Sequence, residues 1–504
     1  MSTCYHAGLL QSTWASSIRA HSLEGYSKSS QCRVTGRRST TLASTQHSAI
    51  SAYCHGTDNA NRQPRFAARA GPSDIDISSL LDDVDLPEID ADLASFQAEG
   101  GAVFDNEGIP TTFSNDGYAL EAAEVGVALV DRSNWGRLRL SGPDRLSFLH
   151  SQSTADLANL APGTGTDTVF VTAQGRTIDI ASIYAQGSGT LAIVSPGMVT
   201  TIKERLEKYI FPDDQVAVTD ITPKTVMFSL LGPESDAVMQ ELAAGDEIVG
   251  APYGTHTVLG FGGKPVITMV GGGLPGPGYT LIVEESAAGD LWRVLAARGA
   301  IPMGSTAWGI ARVVAGRPVP GAELTEQYNP LEAGLYGAVS LNKGCYIGQE
   351  TLAKVHSQGA LRRELWGIDL AAPAQVGDEV FAAGWDIQGS SNNEKPLGRV
   401  TSYVDTVEQD HRALAYLRCR HTTDGRINLE GKEVVVNGVQ GKVVRLAAAT
   451  RTFPPGAAPE EGGASKRKQQ KLDDAEAEAE AARKAEKLRA MQAQLEAWKS
   501  QQGQ

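Results

Sequence analysis

Between residue 125 and about residue 370, short β-branched runs alternate with helical periods, and near Leu361 a second composition of short β-type runs begins. This change of period constrains the fold more than any single motif, because side chains alternate every 2 residues along a strand and every 3.6 along a helix. Residues 136–140, 168–172, 190–195 and 226–230 read as strands, and residues 144–150, 199–209, 234–244 and 289–299 read as helices. The mixture predicts an α+β or α/β domain over 102–362. Five further runs, 363–370, 377–382, 398–404, 412–418 and 433–446, are separated by Gly, Asn and Asp turn signals. They predict a small β-barrel or sandwich over 363–450, packed against the larger domain as a separate unit.

The two ends differ from this body. Residues 1–70 carry eight Lys or Arg, only two acids (Glu24 and Asp58) and twelve Ser, with no apolar core of the secretory kind. That composition suits an organelle transit peptide, read by import machinery as a cationic, unfolded chain. Its Ser and Thr content and late arginines favour the chloroplast over the mitochondrion, with processing near 67–71; a merely disordered terminus is the other reading. Residues 71–101 are acidic with scattered Leu and Ile, a linker or short helix closed by Gly100 and Gly101. At the far end, 454–463 read as a linker within 451–504. Residues 466–504 then read as a charged helix in which Leu488, Met491, Leu495 and Trp498 form a two-heptad seam. Such a seam serves either a partner helix or nothing beyond solvation.

Charge and length exclude some functions. The first 70 residues contribute +6 to a whole-chain charge of −14, so the chain without them carries −20. No basic stripe interleaved with aromatics appears, which argues against nucleic acid as a partner. No apolar run approaches the ~20 residues that span a bilayer, which argues against a membrane helix.

Only Cys345 and Cys419 lie beyond residue 70. Two thiols do not supply the four-thiolate cage of an iron–sulfur cluster, and no zinc spacing is present, so no metal site is expected within one chain. A cluster met transiently or shared between subunits stays open. Cys345 sits in NKGCYIGQE, residues 342–350, between Gly344 and Gly348 and beside Lys343. Glycines free the backbone to present the thiol, and an adjacent ammonium favours thiolate, so Cys345 reads as a nucleophile, redox group or transient ligand. The alternative is an inert, buried Cys.

NKGCYIGQE closely resembles the KGCYxGQE signature of the folate-binding YgfZ-type family, within the glycine-cleavage T-protein superfamily. Asn329-Pro330-Leu331-Glu332, the Gly316-Arg317-Pro318 turn, the stretches VDRSNWGRLRLSGPDRLSFLHSQST and VTAQGRTIDI, and LGRVTSYV extend the resemblance over about 102–448. The resemblance implies a three-lobed, ring-like T-protein fold around a tetrahydrofolate site. It also implies a role in building or repairing iron–sulfur clusters of client proteins, with assembly factors as further partners. Lys343, Gly344, Tyr346, Gly348, Gln349 and Glu350 match the signature position by position. The resemblance thus assigns chemistry to Cys345 and Lys343, and cofactor contact to Tyr346, Gln349 and Glu350.

By the same resemblance Asp179 falls where T-proteins place the aspartate facing the pterin, and Arg312 where they place an arginine suited to a folate carboxylate. A strand-edge acid and a surface helix charge are the structural alternatives for these two. One stretch departs from the pattern: where T-proteins carry a TGE-type acid, residues 275–280 read PGPGYT, with no Glu before Glu284. Aminomethyl transfer is therefore the alternative function, and a folate-dependent accessory factor the first.

Overall fold

The structure, a computed structural model, describes residues 67–68, 92–242, 247–385, 395–406, 410–419, 421–422, 425–426 and 428–458. Most of the expected presequence and all of the expected charged helix of the tail fall outside the described residues.

Residues 92–453 belong to one compact unit built on two sheets and a barrel. The first sheet has seven strands, in the spatial order Ala67–Ala68, His256–Phe261, Lys264–Val270, Gly278–Glu284, Thr225–Leu231, Ala128–Asp131 and Ile301–Met303. Every neighbour pair is antiparallel except the last. The second sheet is antiparallel throughout, in the order Thr164–Val171, Thr177–Ala185, Gly189–Val194, Gly136–Ser141 and Ala217–Asp220. Thr225–Leu231 and Gly189–Val194 are buried along their whole length, so they read as continuous apolar runs rather than alternating ones.

An apolar cluster joins the sheets, with Trp135, Tyr184, Leu191 and Ile193 from one and Met227, Ile267, Met269 and Ile282 from the other. The predicted helices appear as Arg145–Gln152, Val199–Lys208, Ser235–Glu241 and Ala288–Ala297. The acidic lead-in contains a further helix, Leu93–Glu99, started by Asp92, whose carboxylate accepts from the Ala94 amide at 3.1 Å.

The barrel closes through Arg363–Leu370, His411–Arg418, Gly398–Asp405, Glu379–Ala382, Glu433–Val436 and Val439–Val444. The apolar run at 433–446 is a hairpin rather than one strand. It folds at Asn437 and Gly438, both with positive φ, as the tight turn between right-twisted strands requires. The barrel has its own core around Trp366, Ile368, Val434 and Val443. A second cluster, in which Val169, Val171 and Ile180 meet Leu365, Leu414, Tyr416 and Leu446, makes barrel and sheets one continuous interior. Among the described residues no helix is long and apolar enough to cross a membrane.

Candidate functional site

Three stretches distant in sequence converge on the Cys345 loop. Helix Arg145–Gln152 ends against it, and the Ile347 amide donates to Ser151 O at 3.2 Å. The hairpin turn at 172–176 closes on its other side. Gly348 has φ +84°, and a Cβ there would lie 2.6 Å from Thr172 O and 3.0 Å from Gly175 Cα, so only glycine fits. Glu332 completes the frame: buried, it accepts from the Asn329 amide at 3.0 Å and lies 3.8 Å from Arg176 and 3.7 Å from Arg363.

Lys343 fastens this loop. Its Nζ donates to three backbone carbonyls, His150 O at 2.5 Å, Ser153 O at 2.8 Å and Ala155 O at 2.5 Å. An ammonium has three hydrogens, and all three are spent on carbonyls at and just beyond a helix C-terminus, where they are otherwise orphaned. Burial pulls the ammonium down to about 7, while the neighbouring Asp156 raises it. The Lys343 Nζ also lies 4.7 Å from the Tyr346 ring centroid. Tyr346 itself is buried with Leu331, Tyr336, Leu352 and Cys419, and its amide donates to Gln349 Oε1 at 3.1 Å. Glu350 is exposed in the first turn of helix Gln349–Ser357.

On this clamped loop the Cys345 thiol is exposed, in contrast to buried Cys419. His150 approaches the neighbouring Gly344 from the helix. A Cβ on Gly344 would come within 3.3 Å of the His150 Nε2. The Leu157 and Ala158 amides reach His150 Nδ1 at 3.3 and 3.2 Å, and the Asp156 carboxylate lies 3.2 Å from the same nitrogen, so Nδ1 meets two donors and an acceptor together. Burial, and then the Lys343 charge, hold the imidazole below its usual range. Nothing in the sequence singled out His150; its signal was its place in the LSFLHSQST run.

Asp179 lies apart from this loop, on strand Thr177–Ala185. It is fully buried and receives three hydrogen bonds, from Ser195 Oγ at 2.6 Å, the Ser195 amide at 2.9 Å and the Ile180 amide at 2.8 Å. Burial outweighs these bonds and raises its carboxyl to about 6, with Arg317 opposing. A carboxyl there titrates near neutrality and suits proton transfer. Because the native pKa exceeds the unfolded one, its contribution to stability is full below about pH 4 and is lost as pH rises through 6. Asp179→Asn is therefore expected to gain on the wild type between pH 4.5 and 7.5. Urea unfolding at both pH values checks this, and a pH-independent difference rules it out.

Beside Asp179 stands a cationic and aromatic group missed in the sequence. Arg132 and Trp135 bracket a tight turn in which the Trp135 amide donates to Arg132 O at 2.9 Å. Asp131 shapes that turn, accepting from the Ser133 amide at 2.9 Å, Ser133 Oγ at 2.6 Å and Gln97 Nε2 at 2.7 Å. The Arg132 guanidinium lies 3.8 Å from the Trp135 ring centroid and 4.9 Å from that of Trp308, and Arg317 lies 5.1 Å from Trp135. Trp308 and Arg317 come from helix Ser305–Ala315 and the turn after it. The only legible signal was an Arg three residues before a Trp.

Arg312, on the same helix, faces elsewhere. Its guanidinium donates to Glu323 Oε2 at 3.2 Å and to Ser402 Oγ at 2.9 Å, between the sheets and the barrel. A ligand carboxylate at Arg312 has to displace or share the fully buried Glu323.

Residues 96–343 match the family model described as the GCVT N-terminal domain. Over 397 residues the chain is 38% identical to the Arabidopsis thaliana protein named "Putative transferase At1g60990, chloroplastic", covering 79% of this chain and 88% of that one. It is 30% identical over 289 residues to an aminomethyltransferase of Shouchella clausii, covering 55% and 77%. The chain belongs to the aminomethyltransferase, or T-protein, superfamily. In three dimensions it is similar to the glycine cleavage system aminomethyltransferase T of Bartonella henselae, with a TM-score of 0.60 at 19% identity, covering 71% of this chain and 97% of that one. The superfamily fold accounts for the two sheets and the terminal barrel.

Proposed function

We propose that this superfamily member is a plastid protein that binds a reduced folate near Asp179 and uses Cys345 in the assembly or repair of iron–sulfur clusters in client proteins. One observation carries the reading: an exposed thiol stands on a loop that Lys343, Gly348 and Ile347 clamp from both sides. Order of that kind costs conformational entropy, and a solvent-facing cysteine with no packing role has no structural need of it. The chloroplastic relative supports the compartment.

The residues around Asp179 fit a folate in part. The half-buried Trp308 offers aromatic surface to a flat ring, and Asp179 titrates in the range useful to a pterin nitrogen. Tetrahydrofolate supplies nitrogens that accept or donate a one-carbon unit. Tyr346, Gln349 and Glu350 are proposed as contacts on the Cys345 side, and Arg312 only where a folate carboxylate replaces part of its pairing with Glu323. Aminomethyl transfer is the second reading, favoured by the family of the curated relatives.

Cells lacking the protein and rescued with Cys345→Ala decide between them. Cys345→Ala is expected to change stability by no more than about 0.5 kcal/mol, as exposed substitutions do, yet to leave cluster-enzyme activities unrescued. Full rescue removes the thiol from the mechanism. In parallel, tetrahydrofolate is expected to raise the melting temperature of wild type and variant alike, because a ligand selective for the native state stabilises it. No shift at saturation removes the folate.

A further inference from the structure

Arg132 and Arg137 lie five residues apart and are both buried, yet the fold treats them differently. Arg137 spends all five N–H donors: Nε on Thr225 Oγ1, Nη1 on Ser133 O and Trp135 O, Nη2 on Thr222 O and Thr225 O. Arg132 spends one nitrogen, Nη1, on Ser229 Oγ at 3.0 Å and Gly272 O at 3.1 Å. Its Nε is buried without a partner, and so is the Nε of Arg317. Among the described residues no carboxylate lies within ion-pair distance of either guanidinium. Asp179 acts on Arg317 only at longer range, and its oxygens already serve Ser195 and Ile180.

We propose that Arg132 and Arg317, gathered at the Trp135 ring, form a binding site for an oxyanion, the carboxylate or phosphate group of a small acid. Two guanidinium groups at one ring, Arg132 buried and Arg317 half-buried, repel each other, and an anion that meets both relieves the repulsion and uses the unspent donors. Burial, and then the Arg317 charge, lower the Arg132 guanidinium to about 9. The backbone keeps the place open for the guanidinium. Gly273, at φ +91°, would put a Cβ 2.3 Å from Arg132 Nη1, so a side chain at this position is strained and displaces the guanidinium. The same loop leads into residues 275–280, where the T-protein resemblance leads one to expect an acid. A guanidinium faces the loop instead, which turns the site from acceptor to donor. Trp135 belongs, with Tyr184, to the buried apolar cluster beside the two guanidinium groups.

The site stands on its own, whether or not folate binds beside it. The test uses the full chain, potassium phosphate and sodium acetate as probes, and potassium chloride at matched ionic strength as control. Trp fluorescence and melting temperature are the readouts. In the wild type, phosphate or acetate is expected to give a saturable fluorescence change and a rise in melting temperature that chloride does not. Arg317→Gln, partly exposed and easily accommodated, is expected to weaken that binding about tenfold, the effect of one lost charge-assisted contact. Arg132→Gln is expected to abolish it; should that variant not fold, Arg317→Gln carries the test. A response identical in chloride, or one unchanged in Arg317→Gln, overturns the site. Tetrahydrofolate added to the saturated protein then separates the sources: competition identifies a folate carboxylate as the anion, and additive stabilisation a free acid.

Discussion

Lys343→Met is expected to destabilise the protein by roughly 3 kcal/mol, although it removes no more than one ammonium from a loop. Hydrogen bonds from a charged donor contribute about 1.5–3 kcal/mol each, and their loss here leaves three carbonyls at the end of helix Arg145–Gln152 without the donor that satisfied them. The methionine stem fills the same space, so the effect isolates the ammonium. Lys343→Arg should not restore it, because three acceptors converge on one nitrogen and a planar fork spreads its donors. Urea unfolding gives the magnitude, and alkylation of Cys345 gives a second readout, with buried Cys419 as the internal reference. A staple predicts lower stability together with faster alkylation, as the loop loosens. Unchanged stability with slower alkylation would show instead that Lys343 serves the thiol.

The second large effect lies where barrel and sheets join. Glu323 is fully buried and accepts from Arg312 at 3.2 Å, Thr401 Oγ1 at 2.6 Å, Ser402 Oγ at 2.7 Å and the Val319 amide at 3.3 Å. Tyr416 OH adds a bond to its backbone carbonyl at 2.9 Å. Glu323→Ala leaves a half-buried guanidinium and the Ser402 hydroxyl without their carboxylate, while Thr401 keeps the Leu414 carbonyl at 3.1 Å, and is expected to cost about 3–5 kcal/mol. Arg312→Met strands the carboxylate and should cost a similar amount. The pair Glu323→Ala with Arg312→Met should lose much less than the sum, since removing both charges ends the desolvation penalty. Additive losses in that double-mutant cycle would mean the two residues act separately, and would return Arg312 to the ligand.

These effects mark the limits of reading such a chain from its sequence. The GCYIGQ segment announced an exposed, glycine-framed cysteine, because glycine spacing and a lone thiol are local facts. It placed Lys343 next to the thiol in sequence, but adjacency along the chain says little about where a long side chain ends. Three carbonyls from residues 150–155 claim the ammonium, and only the packing of that helix end on the loop brings them there. Arg312 likewise read as a charge awaiting a ligand, because its partner Glu323 lies beyond the end of its helix and Ser402 lies on the barrel.

The alternation of periods, the change to β-runs after Leu361 and the Cys345 signature were determined by sequence alone, since each depends on residues within a few positions of one another. Tertiary structure alone decided that residues 132, 135, 308 and 317 meet around unspent guanidinium donors beside Asp179. It also decided that the sheets and barrel share one interior. The physical reason is common to both. A backbone's periodicity is set by its nearest neighbours, whereas the partner of a buried charge is whichever group the whole fold delivers within hydrogen-bonding distance, and no stretch of sequence specifies that by itself.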